Sequence, residues 1–215
     1  MIDLIGRGLL ETLLMVVGST LAAYIIGIPL GLLLVVTDRD GIHPMLLVNR
    51  VVGVIVNIFR SIPFIILLVW VMPVTRSIVG TTVGCKAATV PLIIAAAPFI
   101  ARMVESSAKE VDRGVIEASI SMGASVMQIV RKVLMPEAKP SLIVGAAIAI
   151  TTILGYSAMA GMTGGGGLGA LAINYGYYRG NGQIMFVMVI ILVIVVQLFQ
   201  EIGMRLANKT DKRIR

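Results

Sequence analysis

The chain has 215 residues, 58% of them hydrophobic and only 13% charged, with a mean hydropathy of +0.99. A water-soluble domain of this length carries roughly twice as much charge, so the composition excludes one. The net charge of +7 sits in loops between apolar runs, without a basic stripe interleaved with aromatics, which excludes a nucleic-acid partner. Cys85 is the only cysteine and His43 the only histidine, so an intrachain disulfide and a cysteine- or histidine-based metal cluster are excluded too.

Five runs are apolar enough to cross a bilayer. The first, Leu13–Val36, would span about 36 Å as a helix at about 1.5 Å per residue. Its flank (Asp3, Arg7, Glu11) is not basic and the run is too long for a cleaved signal peptide, so it is expected to remain as a span. The second, Val51–Met72, is interrupted by Asn57, Arg60, Ser61 and Pro63. The third, about Val83–Ala101, carries Lys86, Pro91 and Pro98. Leu142–Met162 and Ile184–Leu198 are the fourth and fifth. Proline and glycine are tolerated where neighbouring helices satisfy the freed backbone groups.

An odd number of spans puts the termini on opposite sides. One set of loops, with the C-terminal tail (Arg205, Lys209, Lys212, Arg213, Arg215), holds thirteen lysines and arginines, and the other side holds four: Arg7, Arg76, Lys86 and Arg179. Positive charge stays in the cytoplasm, so the N-terminus is expected outside and the C-terminus inside. The whole of 1–215 reads as a single all-α membrane domain with its core at about 10–202.

The segment 102–140, between spans three and four, is too long for a bundle turn and too patterned for a linker. Its charges alternate in sign, as on solvated helices. Gly123 can end a helix in the left-handed conformation. Ser125 and Gln128 have the spacing of a capping box that starts another, which Pro136 and Pro140 then stop. The expected form is a helix–turn–helix knob; a surface hairpin lying on the headgroups fits the same pattern.

Glu117-Ala118-Ser119, Gly123, then Val133, Met135 and Pro136 resemble the EAA motif of binding-protein-dependent ABC importer permeases. Ser119 stands for an alanine, Val133 for isoleucine and Met135 for leucine, while the spacing from Gly123 to Pro136 is kept. The resemblance implies a type I importer permease fold with a coupling helix that docks on an ATP-binding subunit. Glu117, Ala118, Ser119, Met122, Gly123, Ala124 and Pro136 are then the coupling residues. The small residues Ala118, Gly123 and Ala124 suit close approach, and Glu117 offers the partner a charge.

Further stretches are similar to the methionine importer permeases: 56–64 (VNIFRSIPF), 97–105 (APFIARMVE) and 155–159 (GYSAM). That likeness implies methionine as substrate; permeases for other amino acids share the cytoplasmic motif. It further implies a homodimer with two ATP-binding cassette subunits and an extracytoplasmic substrate-binding protein. The chain lacks the phosphate-binding sequence G-x-x-x-x-G-K-[ST], so ATP and Mg belong to the partner subunit and this chain is not an enzyme.

Arg60 is the one charge well inside a predicted run, at a cost of roughly 2.5–3.5 kcal/mol unless it faces a wet cavity or the bundle. It either lines the translocation path with Asn57 and Ser61, near the break at Pro63, or bonds freed carbonyls and snorkels. In the fourth run Tyr156, Ser157 and Met159 are path candidates. Met159 from two copies could close the path, although methionine on a membrane helix also serves plain packing. The stretch 164–178, rich in glycine and then tyrosine, is expected outside, facing the binding protein or anchoring at the interface.

Two other classes fare poorly. An ion-coupled transporter usually carries a carboxylate in the membrane, and none of the five runs contains Asp or Glu. An intramembrane enzyme would need a nucleophile or metal constellation that His43 alone cannot supply.

Overall fold

A computed structural model describes residues 2–210; Lys212, Arg213 and Arg215 of the basic tail lie outside the described residues. Four helices are long and apolar enough to cross a membrane: α1 (Ile2–Val36), α5 (Cys85–Lys109), α9 (Lys139–Ala160, continued by a short turn to Thr163) and α11 (Gly182–Thr210). The second predicted span is a bent pair. Helix α2 (Leu46–Ser61) stops at Ile62, whose backbone is extended, and α3 (Phe64–Trp70) leaves at 102° to it. The residue before a proline is pushed out of the helical region, so Pro63 sets this break. Counting the pair as one gives up to five spans. Helix α4 (Met72–Val79) then leads back to α5.

Three predicted runs are markedly shorter than the helices that contain them, the fifth (Ile184–Leu198) lying within Gly182–Thr210. Helix α1 begins at Ile2, ahead of Leu13, and α5 continues past Ala101 to Lys109. Hydropathy marks only the lipid-compatible stretch. A helix persists beyond it wherever its polar side chains find partners, and so Glu11 and Glu105 both lie in helices that reach the membrane.

Helix α5 is the axis of the domain. Its buried face (Ala88, Leu92, Ala96, Ala97, Ile100, Val104) packs against Met15, Val16 and Ala23 of α1, Phe64 and Leu68 of α3, and Ile153 and Leu154 of α9. Lipid gives no hydrophobic drive between helices, so close van der Waals fit has to hold them. Gly27 and Gly31 of α1 provide it. A Cβ at Gly27 would lie 2.7 Å from Ile100 Cγ2, and one at Gly31 would lie 2.5 Å from the Ala101 carbonyl oxygen.

At one end of the bundle, α9 turns back through the glycine loop into α10 (Gly167–Leu171). Gly164, Gly166 and Gly167 have φ of +85°, +80° and +75°, which side-chain-bearing residues avoid. The first turn of α10 is satisfied by α1: Gly167 N–H donates to Glu11 Oε2 at 2.8 Å, and Leu168 N–H to Thr12 Oγ1 at 2.9 Å. The glycine run is thus a close-packing device for the α9–α10 hairpin. A widened turn, 172–177, then carries the chain to α11.

Candidate functional site

At the opposite end the segment after α5 forms a knob. Asp112 caps α6 (Arg113–Ser121), its Oδ1 accepting from Gly114 N–H at 2.7 Å. The helix ends at Gly123, φ +78°, with Gly123 N–H donating to Ile120 O at 2.9 Å and Ala124 N–H to Ser119 O at 3.1 Å. That is the paired-bond glycine stop expected from the sequence. The capping box is also formed: Ser125 N–H donates to Gln128 Oε1 at 2.8 Å and Gln128 N–H to Ser125 Oγ at 3.4 Å.

Pro136 does not stop the second helix. Helix α7 (Val126–Ile129) widens into a π-type turn over Val130–Leu134, where Met135 N–H donates to Val130 O, and continues as α8 (Met135–Glu137). A proline inside a regular helix clashes with the carbonyl four residues back, and the widened turn relieves this. Pro140 opens the first turn of α9, a position where its missing N–H costs nothing.

The knob is seated by an apolar cluster of Val35, Ala108, Val111, Val130, Leu134 and Ala138, so it belongs to the fold and does not lie free on the headgroups. Its outer face stays open. Glu117, Ala118 and Gly123 are exposed, Ala124 is half-buried, Pro136 is exposed, and Met122 is 81% exposed with Val115, Ile120 and Met127 beside it. Ser119 points inward, its Oγ donating to Val115 O at 2.7 Å, so it faces the domain and leaves the outer face to its neighbours. A cleft of about 510 Å³ runs between α6 and the 38–42 loop, lined by Asp38, Asp40, Lys109, Arg113, Glu117 and Ile120.

The charges at this end are not all solvated, contrary to the alternating pattern. Glu105 is 8% exposed and accepts from Arg102 Nη1 at 2.6 Å and from Lys109 Nζ at 2.9 Å. Lys109 also reaches Asp38 at 2.7 Å. The Asp38 carboxyl is held below the usual carboxylate range, chiefly by that Lys109 hydrogen bond, against a partial opposing effect of burial and with help from the Arg39 N–H. The 102, 105, 109 spacing that places these residues on one helix face is legible in the sequence.

The path candidates separate in the structure. Phe64, just past the bend, stacks on Tyr156 with ring centroids 4.5 Å apart and planes 5° from parallel, which joins α3 to α9. Met159 is 37% exposed on the protomer surface. Ser157 is 2% exposed and donates to Leu154 O at 2.8 Å, so it faces the protomer core and not an open surface. Asn57 Oδ1 accepts from Arg102 Nη2 at 2.9 Å, and Ser61 Oγ donates to Asn57 O at 2.8 Å. Arg60 is exposed and forms no ion pair among the described residues. At the glycine-loop end, Arg179 covers the Tyr175 ring at 4.4 Å, while Tyr177 and Tyr178 are 69% and 67% exposed.

The protomer is thus a tightly packed helical membrane domain, bent at one span and bearing a capped knob with an open face. The family described as "Binding-protein-dependent transport system inner membrane component" matches residues 23–215, and the chain belongs to it. The probable D-methionine transport system permease protein MetI of Vibrio cholerae is 47% identical over 211 residues, covering 98% of this chain and 94% of that one. The D-methionine transport system permease protein MetI of Escherichia coli K12 is 56% identical over 161 residues, 75% of this chain and 74% of that one. A solved chain from the inward-facing MetNI methionine ABC transporter superposes with a TM-score of 0.97 at 51% identity, covering 99% and 98% of the two chains. An amino acid ABC transporter shares the fold alone, with a TM-score of 0.79 at 18% identity.

Proposed function

We propose that this chain is the permease of a methionine importer, working as a homodimer with two ATP-binding subunits and a substrate-binding protein on the outer side. The likeness over nearly the whole length to the methionine transporter chain carries this reading. The thirteen-to-four distribution of lysine and arginine supports an external N-terminus and a cytoplasmic C-terminus. On that orientation α6 projects into the cytoplasm. Met122, Ala118 and Gly123 form a small-and-soft surface for close docking, and Glu117 adds a charge at its edge.

Two copies related by a two-fold axis would enclose the path between them, because four helices and one bent pair hardly surround one. ATP binding draws the ATPase subunits together, moves the two knobs with them and opens the path outward. The binding protein docks on the tyrosine-bearing glycine-loop end and releases methionine inward, and hydrolysis resets the inward-facing state. ATP and Mg are held by the partner subunit. Tyr156, Met159 and Arg60 are the path residues on this reading, with Met159 closing the path as a pair.

Uptake of radiolabelled methionine into proteoliposomes holding this chain, its ATPase and its binding protein tests the reading. ATP-dependent uptake that is lost when Glu117 and Gly123 are replaced together is the expected result. ATP-driven uptake of a different amino acid would remove methionine alone. Uptake that follows a proton or sodium gradient without ATP would remove the whole reading. Met159→Ala should raise leak or basal ATPase; if neither changes, the gate assignment fails.

A further inference from the structure

The chain of charges Arg102, Glu105, Lys109 and Asp38 has no role assigned above, although Asp38 and Lys109 line the cleft beside α6 and Arg102 bonds the path candidate Asn57. Glu105 holds both cations of its own helix face, and each cation has a second partner on another element. Arg102 Nη2 donates to Gly53 O at 3.0 Å and Asn57 Oδ1 at 2.9 Å, both on α2. Lys109 Nζ donates to Asp38 at 2.7 Å, in the loop after α1. One buried carboxylate therefore ties α5 to α2 and to the α1–α2 loop, at the end where α6 is seated.

Replacing a buried ion pair with apolar residues of similar volume is often neutral or stabilising, and the partners of Glu105 are partly exposed, so stability is a weak reason for the group to exist. Its position suggests another. On one side, Asp40 meets Arg113, the first residue of α6, at 3.5 Å, and Val35, Ala108 and Val111 share an apolar cluster with the knob. On the other side, α2 runs without a break from Asn57 to Ser61, the last helical residue before the 102° bend. Phe64, immediately past the bend, stacks on Tyr156. The planar guanidinium fork can bond Glu105 and two groups of α2 at once, which a lysine ammonium on its shorter, single-point reach cannot reproduce.

We propose that the Arg102–Glu105 pair is a positioning device that transmits displacement of α6 to the bend between α2 and α3. Neither residue touches substrate; they act by holding α2 to α5 as one body, so that movement of the knob reaches the bend. The inference rests on the transport reading above. Coupling between knob and bend is therefore the quantity to measure.

The test uses the full assembly in proteoliposomes, with Arg102→Lys and the double variant Arg102→Gln/Glu105→Gln. The lysine variant keeps a cation beside Glu105 and loses the fork. The double variant removes both charges together and leaves no orphan from the pair. The readouts are methionine taken up per ATP hydrolysed and the ratio of binding-protein-stimulated to basal ATPase. Basal ATPase is expected to persist while uptake per ATP falls at least about fivefold, the lower end of typical coupling between sites. Basal and stimulated rates falling in proportion, with uptake per ATP unchanged, would show a merely structural role and overturn the proposal. Wild-type ratios in both variants would overturn it equally. Wild-type vesicles measured in parallel separate the two readings: if they show no ATP-driven uptake, the transport reading itself fails.

Discussion

Gly31 should be the least replaceable glycine on α1, and an alanine there is the smallest perturbation that tests why. The new Cβ would sit 2.5 Å from the Ala101 carbonyl oxygen and 2.6 Å from Val104 Cβ. Ordinary carbon contacts lie near 3.5 Å, so the two helices must separate by about 1 Å, and a gap of that size forfeits a quarter to a half of each affected dispersion contact. One offending atom belongs to the backbone and cannot rotate away. Overpacking of this kind typically costs about 1–3 kcal/mol. For a chain of this length that corresponds to a fall of roughly 4–8 °C in apparent melting temperature at the middle of the range. Gly18, on the same helix, has nothing within 4 Å of its would-be Cβ. Gly18→Ala should therefore leave stability unchanged or raise it by up to about 1 kcal/mol through helix propensity. Thermal unfolding in detergent, followed by size-exclusion chromatography with fluorescence detection, gives both values. Equal losses at the two positions, or no loss at Gly31, would refute the close-packing account of the α1–α5 seam.

Ser125→Ala removes one half of the capping box and should weaken the start of α7 by about 1 kcal/mol. Amide hydrogen exchange over 126–130 should then accelerate roughly fivefold, with exchange in α9 unchanged. The Asp38–Lys109 contact predicts a pH dependence. Because the Asp38 pKa is lowered on folding, its contribution is present above the ordinary carboxylate value, about 3.9, and is lost as pH falls through the folded value. The Asp38 side chain is 35% exposed, so the contribution is small, under about 1 kcal/mol. Thermal scans of wild type and Asp38→Asn should differ by a constant amount from neutral pH down to about pH 5, and the gap should then narrow progressively as pH falls below about 4 towards the lowered folded value. A gap that persists into acid would show that Asp38 acts through packing instead of charge.

The knob was legible in the sequence because its signals are local. A glycine stop, a cap three residues from its partner and two prolines constrain the backbone within a single turn, whatever packs around them. Even so, Pro136 does not act as the stop its local chemistry predicts, since a widened turn carries the helix past it where both sides are seated on an apolar cluster. The charged residues of 102–109 depart from their pattern for a different reason. Alternating sign is the same pattern on a solvated face and on a buried one, and only the approach of α2 and of the 38–42 loop made Glu105 an interior group. Ser157 was placed on the path by its neighbours in sequence, but α9 turns it inward while Tyr156 and Met159 remain accessible.

The sequence by itself determined the solvent of this protein, the existence of its apolar helices and the form of its knob. Each of these follows from composition over about twenty residues or from backbone chemistry within five. Only the tertiary structure decided that Gly27 and Gly31 set the distance between α1 and α5. It likewise decided that the glycine loop is stitched to Glu11 and Thr12, and that one buried carboxylate joins α5 to α2 and to the loop after α1. Those features depend on contacts between residues 45 to 156 positions apart, bringing together groups that carry no mark of one another along the chain.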